Sequence, residues 1–211
     1  MNDKLTEIVI LQDRSGSMWD IWSDVQGGLE GFLEPQKDAE GDANVSLILF
    51  DSQNPSEVVI DVEDVKTAKV NLEAYGPRGG TPLLDAMFAA INRTGERLNA
   101  IAEEDRPGKV VFVVYTDGEE NQSTEIDHAG LKAKVKEQEE KYDWDFIFLG
   151  ADMDAFGEGG RAGFSMATTA AIGKGKTADS YVVTSKHLAS YRSTGIKGDL
   201  GYTDDERESL K

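Results

Sequence analysis

The chain has 211 residues, with 22 Lys and Arg against 40 Asp and Glu and a formal charge of −18; that length suits one ordinary domain, and 39 % hydrophobic residues supply its core. With no Cys and two His, disulfides, a thiolate zinc site and a cysteine nucleophile are excluded, and zinc chemistry nearly so. The charge repels phosphate backbones and anionic lipid surfaces, so neither nucleic acid nor membrane is expected as a partner, whereas divalent cations and basic protein surfaces are suited.

The first apolar run, residues 8–11, is far too short for a signal-peptide core or a membrane span, and a soluble, cytoplasmic protein is expected. Four consecutive apolar residues there read as a strand covered on both faces. Ile21, Val25, Leu29 and Phe32 then step by 4, 4 and 3, the spacing of a helix with one buried stripe. From residue 34 to residue 64 nine acids stand against Lys37 alone, which a solvated negative face explains; a docking surface for a basic partner is the alternative. Residues 45–50 form a second buried strand. After a turn rich in Asp, Ser, Asn and Pro, residues 57–65 alternate Val58, Ile60 and Val62 with polar positions, the pattern of an antiparallel edge strand joined by a hairpin. Leu84, Phe88, Ile91, Leu98 and Ile101 mark a helix, residues 110–115 a strand, Leu131 and Val135 a weaker helix, and residues 146–149 a strand. A short helix at residues 155–162, a weak sixth strand at 165–169 and a last helix from Thr177, carrying Tyr181, Ser185, Leu188 and Arg192, complete the order. Residues 1–195 thus read as one domain. Residues 196–211, with Asp199, Asp204, Asp205, Glu206 and Glu208, read as an acidic tail, either disordered or a short linear motif.

Strands alternating with helices predict a doubly wound α/β fold, mostly parallel with one antiparallel edge strand and helices on both faces. Ligands bind such sheets at the carboxyl ends of strands where the strand order reverses. Here those are the strand ending at Gln12 and the strand ending at Thr116. After the first comes Asp13-Arg14-Ser15-Gly16-Ser17, an extended loop that alternates its side chains, so that Asp13, Ser15 and Ser17 converge while Arg14 and Gly16 face away. One carboxylate and two hydroxyls, with no nitrogen or sulfur, select a hard cation such as Mg²⁺ or Mn²⁺. Thr81, in Gly79-Gly80-Thr81-Pro82, offers a third hydroxyl, and Asp117 a second carboxylate.

In these residues the chain resembles the von Willebrand factor A-type domains and their metal-ion-dependent adhesion site, over about residues 5–192. Asp13, Ser15 and Ser17 match the D-x-S-x-S element. Thr81 is similar to the family's separate threonine ligand, and Asp117, in Tyr-Thr-Asp-Gly-Glu-Glu-Asn, to its last ligand, often met through water. Three separated elements in the family's order are far more specific than one pentapeptide. The resemblance implies a Rossmann-like fold, a metal held by Asp13, Ser15, Ser17, Thr81 and Asp117, and a partner protein whose Asp or Glu completes the metal's shell. It implies an adaptor, not an enzyme. Met18, Trp19 and Trp22 follow the motif; packing of the first helix on the sheet accounts for them, with an apolar rim for a partner as the alternative.

Other signals are weaker. Residues 170–177 resemble a P-loop with Ala in the first Gly position, but only 34 residues follow Thr177 and none forms an apolar strand ending in Asp. Residues 157–162 fit a loose G-x-G-x-x-A pattern, yet begin beyond the strand end. A metal-dependent hydrolase or nucleotide-binding protein is the rival reading; against it, Ser15 stands where a second Asp is wanted, though Arg14 and Arg78 are near enough to clamp a phosphate. His128 and His187 lack partners at recognisable spacing.

Overall fold

The computed structural model describes residues 1–151 and 153–211. Among them, β1 (Asn2–Asp13), α1 (Trp22–Asp38), β2 (Asp42–Asp51), β3 (Asn54–Asp64), α2 (Leu83–Asn99), β4 (Pro107–Thr116), α3 (His128–Tyr142), β5 (Asp145–Ala151), α4 (Ala155–Ala162), β6 (Thr169–Ile172), α5 (Thr177–Thr194) and α6 (Asp204–Ser209) follow in order, with 3-10 turns at Gly16–Ile21, Glu103–Asp105 and Lys197–Leu200. β1 outruns its apolar core of residues 8–11 because it pairs in parallel on both sides, with β2 and with β4. Ladder hydrogen bonds thereby draw polar residues at its start into the strand.

The strand order is β3-β2-β1-β4-β5-β6, all parallel except β3, which runs antiparallel to β2 at one edge. The sheet is therefore the expected α/β arrangement. Alternate residues of its strands bury on opposite faces: Ile8, Ile10, Leu47, Leu49, Val111 and Val113 pack against α1 and α5, while Val9, Leu11, Ile48, Phe50, Phe112 and Val114 pack against α2, α3 and α4. Covering both faces is what makes these strands read as unbroken apolar runs. Among the described residues no helix is long and apolar enough to cross a membrane.

Two expectations need correction. The sixth strand lies at Thr169–Ile172, not at 165–169, because pairing with β5 starts at Phe148↔Thr169. Ser165 instead closes a turn, its carbonyl accepting from the Thr168 amide at 3.2 Å and from Thr169 Oγ1 at 2.8 Å. Residues 196–211 do not hang free as a tail. Leu200, Tyr202 and Leu210 are buried in the core on the α1–α5 face, and α6 is closed by a capping box between Thr203 and Glu206. Three apolar anchors spread over eleven residues were outweighed, in composition, by the acids between them.

Candidate metal centre

Asp13 ends β1, Thr116 ends β4, and these strands are neighbours at the point where the chain switches from one side of β1 to the other. A carboxylate at one end and a hydroxyl at the other are thus brought together: Thr116 Oγ1 donates to Asp13 Oδ2 at 2.6 Å. The Ser15 amide donates to Asp13 Oδ1 at 2.6 Å, turning the loop sharply after the strand. Ser15 Oγ and Ser17 Oγ lie 3.0 Å apart, and Ser17 Oγ donates to Asp117 Oδ1 at 2.7 Å. Thr81 arrives from the loop before α2. A Cβ on Gly118 would lie 3.1 Å from Thr81 Oγ1 and 3.6 Å from Ser17 Oγ, so the bare glycine keeps open the space into which these hydroxyls point.

All five residues singled out by sequence therefore meet at one edge of the sheet. Asp13, Ser15 and Thr81 are buried, Asp117 is half-buried and Ser17 is exposed, so the cluster opens to solvent on the Ser17 side. Burial pushes the Asp13 carboxyl up to about 7; hydrogen bonds from Thr116 and Ser15 oppose the rise and the Asp117 charge adds to it. The oxygen-only donor set suits a hard divalent cation. Among the described residues no three His, Cys, Asp or Glu side chains group to hold a metal; here hydroxyls would supply three of the five donors.

Sequence reasoning gave no part to several residues that build this place. Thr116 orients Asp13, and Asn121 Oδ1 accepts the Thr81 amide at 2.9 Å. Glu120 Oε2 accepts the Leu84 amide at 3.0 Å, and Asp85 accepts the amides of Thr124 and Glu125 at 2.8 and 3.0 Å. The loop after β4 is thereby tied to the N-terminus of α2, where carboxylates also favour the helix dipole. Gly79 has φ +66, and a side chain there would approach Ser52 Oγ to 2.5 Å, so the Gly-Gly pair ahead of Thr81 answers both a backbone and a packing need. Signals for Thr116 and Asn121 were present in Tyr-Thr-Asp-Gly-Glu-Glu-Asn, but nothing in the spacing told which oxygens they would reach.

The residues after the motif divide. Met18 is buried, Trp22 is half-buried with its indole N–H donating to the Tyr75 carbonyl at 3.0 Å, and Trp19, two residues after Ser17 in the chain, is 70 % exposed. Packing thus accounts for two of the three.

A von Willebrand factor type A structure from Catenulispora acidiphila matches 89 % of this chain at 14 % identity and a TM-score of 0.59. The ArnB paralog VWA2 from Sulfolobus acidocaldarius matches 89 % at 14 % identity and 0.54, and the pilus adhesin SpaC from Lactobacillus rhamnosus GG 91 % at 15 % identity and 0.61. The fold is that of von Willebrand factor A-type domains. This vWA-fold chain spans 42 %, 45 % and 31 % of those three structures. No family model matches it, and no curated protein does.

The features that favoured nucleotide binding are otherwise engaged in the vWA fold. Thr177 is buried and its Oγ1 accepts from the Tyr115 hydroxyl at 3.0 Å; the Gly173 amide donates to the Leu210 carbonyl at 2.7 Å; Lys176 pairs with Asp179 at 3.2 Å. Residues 157–162 lie within α4, so their backbone is helical and forms no strand-to-helix phosphate turn. Arg14 and Arg78 are held by Asp51 and Glu57. His128 and His187 do have partners, Glu158 at 3.0 Å and Glu206 at 2.8 Å, placed there by tertiary packing alone.

Proposed function

We propose that this chain is a protein-interaction module that binds Mg²⁺ or Mn²⁺ through Asp13, Ser15, Ser17, Thr81 and Asp117 and works as a cytoplasmic adaptor without catalytic activity. The observation that carries the reading is the convergence of two carboxylates and three hydroxyls, from three separate loops, on one solvent-open edge of the sheet. A divalent cation held by these residues would offer a coordination position for an Asp or Glu of a partner protein. Asp13, fixed by Thr116 and the Ser15 amide, presents one oriented anionic ligand. Ser17 links the first loop to Asp117, and Asn121 holds Thr81 by its backbone. A contact that is both ionic and coordinate is strongly directional, which suits recognition of a single acidic side chain.

Titration calorimetry tests the reading. One saturable Mg²⁺ or Mn²⁺ site is expected, with a rise in melting temperature from ligand binding to the folded state alone, and Asp13→Ala should remove both. Absence of any saturable site in the wild-type chain would sink the proposal. Pull-down of partners with and without chelator then separates metal-dependent from metal-independent capture; recovery indifferent to chelator would move the docking surface to the acidic stretch at residues 34–64.

A further inference from the structure

Two arginines border the cluster without joining it, and their contacts are unusually convergent. Arg14 lies between Asp13 and Ser15 in the chain, yet its side chain is 2 % exposed and turned away from them. Its Nε and Nη2 donate to Asp51 Oδ2 at 2.8 and 2.5 Å, Nη2 also donates to Glu57, and the guanidinium sits 5.6 Å from the centre of the Tyr75 ring. Arg78, three residues before Thr81, reaches the same two acids, donating to Asp51 Oδ2 at 3.1 Å and Glu57 Oε2 at 3.2 Å. The main chain follows the same seam. Arg14 N donates to Phe50 O at 2.9 Å, Arg78 N to Arg14 O at 2.8 Å, Gly16 N to Gly79 O at 3.0 Å and Ser52 N to Gly80 O at 3.0 Å. Although burial pushes the Asp51 carboxyl up, the Gln53 amide and the two guanidiniums hold it below its ordinary value.

We infer that Arg14, Asp51, Glu57 and Arg78 form a clamp that sets the cation affinity of the metal centre by fixing the loop at residues 13–17 against the loop at residues 79–81. The inference rests on the metal-binding reading above. Hydroxyls are neutral, weak ligands, so three of them contribute only if their loops are already in place when the cation arrives. Both loops are anchored on the β2–β3 hairpin through one set of four charges, two of each sign. That balance matters, because a paired cluster can be buried where a lone charge cannot. The four are positioning residues: their side chains point at one another, and their effect on the cation passes through the backbone of the two loops.

Electrostatics and positioning make opposite forecasts for Arg78→Ala. Removing a positive charge near a cation site raises cation affinity by Coulomb's law, whereas releasing the loop lowers it. Arg78 is 40 % exposed, so its loss leaves no hole in the core. On the full chain, Mn²⁺ calorimetry should show affinity falling about tenfold to a hundredfold in Arg78→Ala, the usual effect of removing groups that orient metal ligands. Arg78→Lys keeps the charge but not the fork, and should fall between. Cooperative urea unfolding without metal checks that both variants fold. Hydrogen exchange of the Gly16 and Ser52 amides, which cross the seam, supplies a metal-free measure: faster exchange in Arg78→Ala is expected. Affinity equal to or tighter than wild type, or unchanged exchange, overturns the clamp. A wild-type chain with no saturable Mn²⁺ site overturns the metal reading and with it the claim on affinity, and Asp13→Ala, which keeps the clamp but loses a ligand, distinguishes the two failures.

Discussion

Glu7 ties the stability of this protein to pH. It sits on β1 at 1 % exposure, with Arg97 Nη2 donating to its Oε1 at 2.5 Å. Burial pushes its carboxyl from 4.5 up to about 7, more than the Arg97 guanidinium pulls it down. The folded state therefore holds a proton on Glu7 in a range where the unfolded chain has lost it. Between pH 4.5 and about 7 the native state binds more protons, so this residue's contribution to stability falls as pH rises through that window. A shift of this size corresponds to roughly 3 kcal/mol at most. Urea unfolding at either end of the window, for wild type and Glu7→Gln without metal, should show the wild type losing more stability on going from acid to neutral. Identical losses in both chains would mean that Glu7 is ionised throughout. Comparing the two chains cancels the other shifted carboxyls, Asp13 among them.

Among the elements, α6 and the segment leading to it show how composition misleads. Tyr202 and Thr184 share a hydrogen bond of 2.5 Å, Arg207 donates to the carbonyls of Tyr202, Met166 and Ala167 at 2.6, 2.8 and 2.9 Å, and Leu210 is buried. Together they close over the turn that leads into β6, and the segment touches that edge strand's two ends, Arg207 Nε donating to the Thr169 carbonyl at 3.4 Å and the Gly173 amide to the Leu210 carbonyl at 2.7 Å. Leu210→Ala should cost about 2–4 kcal/mol, as loss of a buried leucine does, rather than the tenths typical of a free tail. Equilibrium unfolding measures this directly. At the opposite edge, β3 carries register shifts against β2 and Val62 at φ +55, a bulge that spoils the strand as a template for further pairing.

For the whole molecule, the charge of −18 governs behaviour that no local contact decides. Self-repulsion weakens the compact state, and monovalent salt screens it. Raising NaCl from roughly 10 mM to about 0.5 M, which shortens the screening length several-fold, should raise the melting temperature of wild type and of Asp13→Ala alike. Mg²⁺ at constant ionic strength should raise it in wild type only. An equal Mg²⁺ response in both chains would assign the effect to bulk screening. The same charge slows approach of any acidic partner, so association with one should quicken as salt is added.

Elements whose physics is local were legible in the order of residues. Strands buried on both faces read as apolar runs, the stripe from Ile21 to Phe32 repeats with the helix, and the alternation around Ile60 marks a half-exposed edge, because each pattern is imposed by burial along one segment. Asp13 and Ser15 were legible as alternate residues of one extended stretch, whereas the expected alternation stops there: Ser17 lies in the 3-10 turn Gly16–Ile21, and its place in the D-x-S-x-S element is what pointed to it. Thr81 and Asp117 were legible through resemblance and their place at strand and helix ends. Tertiary structure alone decided the rest. Thr116 on Asp13, Asn121 on Thr81 and the four-charge cluster join residues 21 to 103 positions apart, and no periodicity encodes which donors and acceptors the folded sheet will bring within hydrogen-bond distance. Leu200, Tyr202 and Leu210 belong to the same class: three apolar side chains among acids gain their burial only from a surface built by other parts of the chain.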